Sequence, residues 1–283
     1  MIIDAHTHVF PPRMIERRGR LVLADPGFAE LYGKASARMV SADALIDSMA
    51  HAHVDVSVVC GFWWREPDLA EEHAAYLLDA AAASGGRLIP FVPVAQAGPA
   101  LDDTLARMAR HGARGLGEVR PGNALDAAYV DDLLQRAALD HGLPALMHAS
   151  EAVGHRYPGK EGGYDPGALW RLLEERPDVR VIAAHWGGGL PFYALMPELR
   201  AYIEAGRVLF DTAASAFLYE PRVFAQGLAL AGPRAVAWGS DFPLRPQEVD
   251  RAEVEAALAD DDAREAVLGG NTAAFLGLTA GVG

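Results

Sequence analysis

Apolar runs of strand length alternate with segments of helical period along almost the whole chain. The first run, Ile2-Ile3, passes without a break into Asp4-Ala5-His6-Thr7-His8. Further strands are predicted over Val54–Gly61, Leu88–Val94, Ala113–Val119, Leu143–Met147, Val179–Ala184, Arg207–Asp211 and Ala235–Gly239. Helix signals fall between them. Ser41 can cap a helix whose Leu45, Ile46 and Met49 share a face. Pro67 opens a helix over Asp68–Ala83 that Gly85-Gly86 closes. Helices over about 99–111 and 127–141 end at Gly112 and Gly142, and Asp165-Pro166 start one over Gly167–Glu175. A helical stretch is expected from Gly187-Gly188-Gly189 to Ala205, and another from about Pro221 to Leu230.

Strands alternating with helices imply a parallel sheet, and eight such units close into a (β/α)8 TIM barrel of about this length. An open doubly wound sheet would carry a glycine-rich first strand–helix turn. Here that turn reads His6-Thr7-His8-Val9-Phe10-Pro11-Pro12. One barrel domain is expected over residues 1–283. It carries an irregular insertion at about 11–40, where a long loop after a strand is often a functional lid. A tail of short outer helices spans about 248–278.

Composition narrows the partners. Of 283 residues, 51% are hydrophobic and 22% charged, which is ordinary globular usage. The net charge of −13 disfavours nucleic acid and anionic membranes as bulk partners. A single cysteine, Cys60, excludes an internal disulfide and fits a reducing compartment. No secretory leader and no bilayer-spanning run are expected, so the expected location is the cytoplasm. A small molecule is the expected partner, and a homodimer is left open.

The ten histidines can be sorted by position, because a barrel keeps its active site at the C-terminal ends of its strands. His6 and His8 lie two apart on one strand and so aim the same way, as a pair of metal ligands would. His148 closes strand five, His185 closes strand six, and Asp241 follows strand eight. All five groups should reach one mouth. A buried imidazole or carboxylate is costly unless paired or metal-bound. His51 and His53 precede strand two, at the opposite end. His111 and His141 sit at helix C-termini, where a partly cationic ring favours the dipole. His73 is expected to be solvated on its helix, and His155 lies in a loop that can reach the mouth.

These residues resemble the amidohydrolase superfamily, and within it the amidohydrolase-2 branch that includes the aminocarboxymuconate-semialdehyde decarboxylase-like enzymes. The matching pieces are Ile3-Asp4-Ala5-His6-Thr7-His8, His148, Ala184-His185-Trp186-Gly187-Gly188, Trp238-Gly239-Ser240-Asp241-Phe242-Pro243 and Leu268-Gly269-Gly270-Asn271-Thr272-Ala273. The resemblance implies a divalent metal held by His6, His8, His148 and Asp241, with His185 acting in catalysis. Glu118, in Gly115-Leu116-Gly117-Glu118-Val119, complicates the match. TatD-like metal-dependent hydrolases use a glutamate there to bridge two metals, with both later histidines on the second ion. Glu118 and His185 are then ligands of a binuclear site; otherwise Glu118 orients a ligand or the substrate.

Mixed nitrogen and oxygen donors suit zinc, the default, and also manganese, iron or cobalt. Such a site supports hydrolysis of an amide, ester or lactone by a metal-activated water, with Asp241 moving the proton and His185 steadying the oxyanion. The same parts serve a non-oxidative decarboxylase of a carboxylated small molecule. A barrel that binds metal or ligand without turnover is a third reading. Arg120, His155, Tyr157, Lys160 and Trp186 are candidates for holding the substrate, a carboxylate among the options, since arginine pairs with carboxylates in bidentate fashion. Each charge taken alone is more often a solvated surface group. Gly154 to Lys160 has P-loop spacing, but Glu161 stands where Ser or Thr would hold magnesium. No Gly-x-Ser-x-Gly elbow occurs.

Overall fold

Eight strands run parallel and hydrogen-bond in chain order: β1 (Ile3–His8), β2 (Val56–Cys60), β3 (Leu88–Val92), β4 (Gly115–Val119), β5 (Ala145–Met147), β6 (Val181–Ala183), β7 (Val208–Asp211) and β8 (Val236–Ala237). The computed structural model describes residues 1–95, 98–123 and 127–278. The ring shuts where first and last strands meet. Ala5 N–H donates to Trp238 O at 2.9 Å, Asp241 N–H to His6 O at 2.9 Å, and His8 N–H to Phe242 O at 2.6 Å. The expected (β/α)8 barrel is the fold, and every predicted strand is present with its ends trimmed.

Side-chain alternation explains why these runs form barrel strands. Val58, Cys60, Ile89, Phe91, Leu146, Ile182 and Leu209 pack together inside the ring. Their neighbours Val59, Leu88, Val92, Ala145, Met147, Val181, Val208 and Phe210 pack outward against the helices. With both faces buried, the strands read as continuous apolar runs. The helices begin where the capping residues predict. Ser41 Oγ accepts from Ala44 N–H at 3.5 Å and an Asp165 oxygen accepts from Ala168 N–H at 2.7 Å. No helix among the described residues is long and apolar enough to cross a membrane.

Two stretches depart from the sequence reading. The insertion expected to be irregular folds as three short helices, α1 (Pro12–Glu16), α2 (Arg18–Ala24) and α3 (Pro26–Tyr32). Each is too short for a 3.6-residue period to emerge. Asp25 caps α3 by accepting from Phe28 N–H at 3.0 Å, and its other oxygen accepts from Arg65 N–H at 3.1 Å, which ties the insertion to the loop after β2. Phe10, Phe28, Phe62 and Trp64 form a buried aromatic cluster beneath it. The stretch from Gly187 to Ala205 is not one helix. Positive φ at Gly187, Gly188 and Gly189 breaks it, a 3₁₀ turn follows at Leu190–Tyr193, and a helix forms only over Pro197–Glu204.

His73 also corrects the reading: it is fully buried rather than solvated. It lies three residues after Ala70 and four before Leu77, both buried, so it shares their helix face. Its Nε2–H donates to Val9 O at 2.8 Å, and its Nδ1 accepts from Trp64 Nε1–H at 3.0 Å and Phe62 N–H at 3.3 Å. The ring is therefore neutral, and burial pushes its pKa down to about 4. The unfolded chain takes up this proton near pH 6.5 and the folded chain only near 4, so stability is lost as the pH falls through that window. The expected loss between pH 7 and 5 is about 2 kcal/mol. Urea unfolding of wild type and His73→Gln at both pH values checks this, since the variant lacks that proton's share of the slope.

Candidate metal centre

Six side chains from five strand ends meet at the C-terminal mouth. His6 and His8 come from β1, Glu118 from β4, and His148, His185 and Asp241 from just beyond β5, β6 and β8. They form two triads, His6–His8–Asp241 and Glu118–His148–His185, each with its ligand atoms within 4.8 Å of one another. His6 Nε2 and His8 Nε2 are 3.0 Å apart, and Asp241 Oδ1 lies 3.4 Å from His8 Nε2 and 3.9 Å from His6 Nε2. Glu118 reaches from the second triad toward the first. Its Oε1 is 2.7 Å from His148 Nδ1, 3.5 Å from His185 Nε2 and 3.7 Å from His6 Nε2, and its Oε2 is 3.6 Å from His8 Nε2.

Each imidazole is oriented from behind. His6 Nδ1–H donates to Asp211 Oδ2 at 2.9 Å, His8 Nδ1–H to Cys60 O at 3.3 Å, His148 Nε2–H to Gly159 O at 2.7 Å and His185 Nδ1–H to Ala213 O at 3.1 Å. In every case the remaining nitrogen presents a lone pair to the centre. Asp211, at the end of β7, also accepts from His185 N–H at 2.8 Å and Ala213 N–H at 3.0 Å through its Oδ1. His185 and Trp186 lie in the left-handed region at φ 55° and 57°, and Asp241 adopts φ 58°. Such backbone costs about 1–2 kcal/mol per residue and persists only where its surroundings over-determine it.

Four lone pairs and two carboxylates converging in a buried space repel one another unless a cation or protons lie between them. The electrostatics say the same. Burial alone would lower His6, but the Asp211 and Glu118 carboxylates outweigh it and push its pKa up to about 10. Burial likewise lowers His185, and Glu118 and Asp241 then raise it to about 9. Burial would raise Glu118 and Asp241, yet the facing imidazoles hold both below the ordinary carboxylate range. This donor set fits divalent cations that accept nitrogen and oxygen ligands.

A cavity of about 450 Å³ opens over His8, Glu118, His148, His185 and Asp241, with His6 fully buried beneath them. Arg120, His155 and Tyr157, three of the residues singled out from the sequence, line it. Arg120 is buried, pairs with Glu30 at 2.8 Å, and keeps Nη1 without a partner among the described residues. Lys160 and Trp186, the other two, do not line the cavity. Lys160 Nζ donates to Val153 O at 2.6 Å, and Trp186 packs on Phe224 while its Nε1–H donates to Ser215 Oγ at 2.8 Å. Trp63 does line it, with a buried Nε1–H that has no partner among the described residues. The sequence reading passed over Asp211, although a carboxylate closing a strand satisfies the same strand-end rule that found Asp241. It also passed over Glu30, which had no signal inside a stretch read as irregular.

No curated protein matches the chain. Among solved structures, the chain is similar to 5-carboxyvanillate decarboxylase from Sphingomonas paucimobilis, with a TM-score of 0.79 and 15% identity over 98% of this chain and 99% of that one. The Novosphingobium aromaticivorans 5-carboxyvanillate decarboxylase with bound manganese gives 0.77 and 17% over 98% and 97%. A probable 2-pyrone-4,6-dicarboxylic acid hydrolase from Acinetobacter baumannii gives 0.63 and 14% over 98% and 99%. At such identities the likeness speaks to the fold. The amidohydrolase family model (Amidohydro_2) matches residues 3–278. A sequence match of that extent, on a parallel barrel whose rim gathers these imidazoles and carboxylates, makes the chain a member of the amidohydrolase family.

Proposed function

We propose that this protein is a metal-dependent hydrolase acting on an amide, ester or lactone bond of a small carboxylated molecule. The observation that carries the reading is Glu118, which belongs to one triad with His148 and His185 and also brings its oxygens to 3.7 Å and 3.6 Å from His6 and His8 of the other. His6, His8 and Asp241 would hold one divalent cation, zinc by default, and His148 and His185 a second, with Glu118 shared. When bound, such cations would supply Lewis-acid chemistry, making water more acidic and a carbonyl carbon more electrophilic. Asp241 accepts the proton of the attacking water and returns it to the leaving group. Arg120 Nη1 and Trp63 Nε1 supply donors for the substrate carboxylate, and His155 and Tyr157 close the cavity wall. With a single cation bound, His185 is free to steady the developing negative charge instead.

Decarboxylation is the second reading, favoured by the decarboxylases among the structural neighbours. A panel of lactones, esters, amides and aromatic acids, run with and without chelator, separates the two. The expected result is a hydrolysis product whose formation stops on chelation and returns with added zinc or manganese. Release of CO2 without any hydrolysis product would overturn the hydrolase reading in favour of the lyase.

A further inference from the structure

Glu30 lies on α3, in the insertion, and its side chain is 38% exposed. Its Oε2 accepts from Arg120 Nη2 at 2.8 Å, and its Oε1 accepts from Gly159 N–H at 2.9 Å. The carbonyl of Gly159 in turn accepts from His148 Nε2–H at 2.7 Å, and His148 Nδ1 lies 2.7 Å from Glu118 Oε1. Gly159 is wedged between the two partners. Its φ of +94° is a conformation that side-chain-bearing residues rarely adopt, and a Cβ there would lie 3.0 Å from Leu31 Cδ2 and 3.9 Å from the His148 ring. A continuous set of contacts therefore runs from the insertion, through one glycine, to the imidazole that faces the cation site. The insertion end of this path is itself anchored, because α3 is capped by Asp25 and seated on Phe28.

We propose that Glu30 is a positioning residue for the cation site: by fixing Gly159 it fixes the carbonyl that orients His148. The proposal rests on reading His148 as a ligand. The residues that orient a metal-binding histidine typically carry a 10–100-fold share of metal affinity. Nothing in the hydrolytic chemistry itself requires Glu30, which sits on a different element from every ligand.

Titration of the metal-free full-length protein with Co2+ alone, followed by its visible absorption and by calorimetry, tests this in wild type, E30A, E30Q, H148A and E30A/H148A. His148→Ala identifies the equivalents of cobalt that depend on His148. Glu30→Ala is expected to weaken that same binding about tenfold and to add nothing in the H148A background, as two residues acting through one path should. Glu30→Gln keeps an acceptor for the Gly159 N–H and should recover affinity to within about twofold of wild type. Wild-type cobalt affinity in E30A overturns the proposal, as does an equal loss of affinity with and without His148, which marks general loosening. If H148A itself binds cobalt like wild type, the ligand reading of His148 fails and the role of Glu30 falls with it.

Discussion

Asp241→Asn is expected to lower kcat about 10³-fold, within the range that a positioned acid–base group contributes. The change is nearly isosteric, so the left-handed backbone at Asp241 and its N–H bond to His6 O should survive. The amide, however, cannot accept the proton of water. Asp241 also belongs to the first triad, so metal content has to be measured on the same sample. Cation retained by Glu118, His148 and His185 together with collapsed turnover is the expected signature. A variant with full metal content and activity within tenfold of wild type would remove Asp241 from proton transfer.

Glu118→Gln is expected to reduce the bound cation from two equivalents to one and to lower kcat/KM about 10²-fold, in line with the effect of altered ligand surroundings. The physical reason is charge. A glutamine oxygen can reach the same imidazoles but carries no negative charge to balance two cations. Metal analysis after dialysis, alongside initial rates, reads both effects. Two equivalents and wild-type rates in E118Q would return Glu118 to the alternative role of orienting a ligand or the substrate.

Much of the framework was legible because two rules act together. Parallel strands buried on both faces leave continuous apolar runs, so all eight were visible, and the strand-end rule then picked His148, His185 and Asp241 from residues far apart in sequence. The same rule set aside His51 and His53, which are exposed at the other end. What stayed hidden depended on tertiary packing. The insertion looked irregular because its helices are held by aromatic contacts and by the two-sided Asp25 carboxylate rather than by their own periodicity. His73 looked solvated because its acceptor and donors, Val9 O and the Trp64 and Phe62 N–H groups, come from other elements. Trp186 follows a catalytic candidate directly in sequence, yet the left-handed backbone at His185 and Trp186 turns its ring away into the outer layer.

The triad of His6, His8 and Asp241 straddles the join between β1 and β8, so its members come from the first and the last strand of the ring. A nascent chain emerging from the ribosome has no complete place for that ion until the last strand is made and docked. Ion uptake then reports the finished ring, and it rewards that state alone: free ion at 100 times its dissociation constant adds about 2.7 kcal/mol to the folded form. In biosynthetic terms a cation held by this triad would act as a seal applied last, and starvation for metal should then leave a population whose first and last strands part most readily.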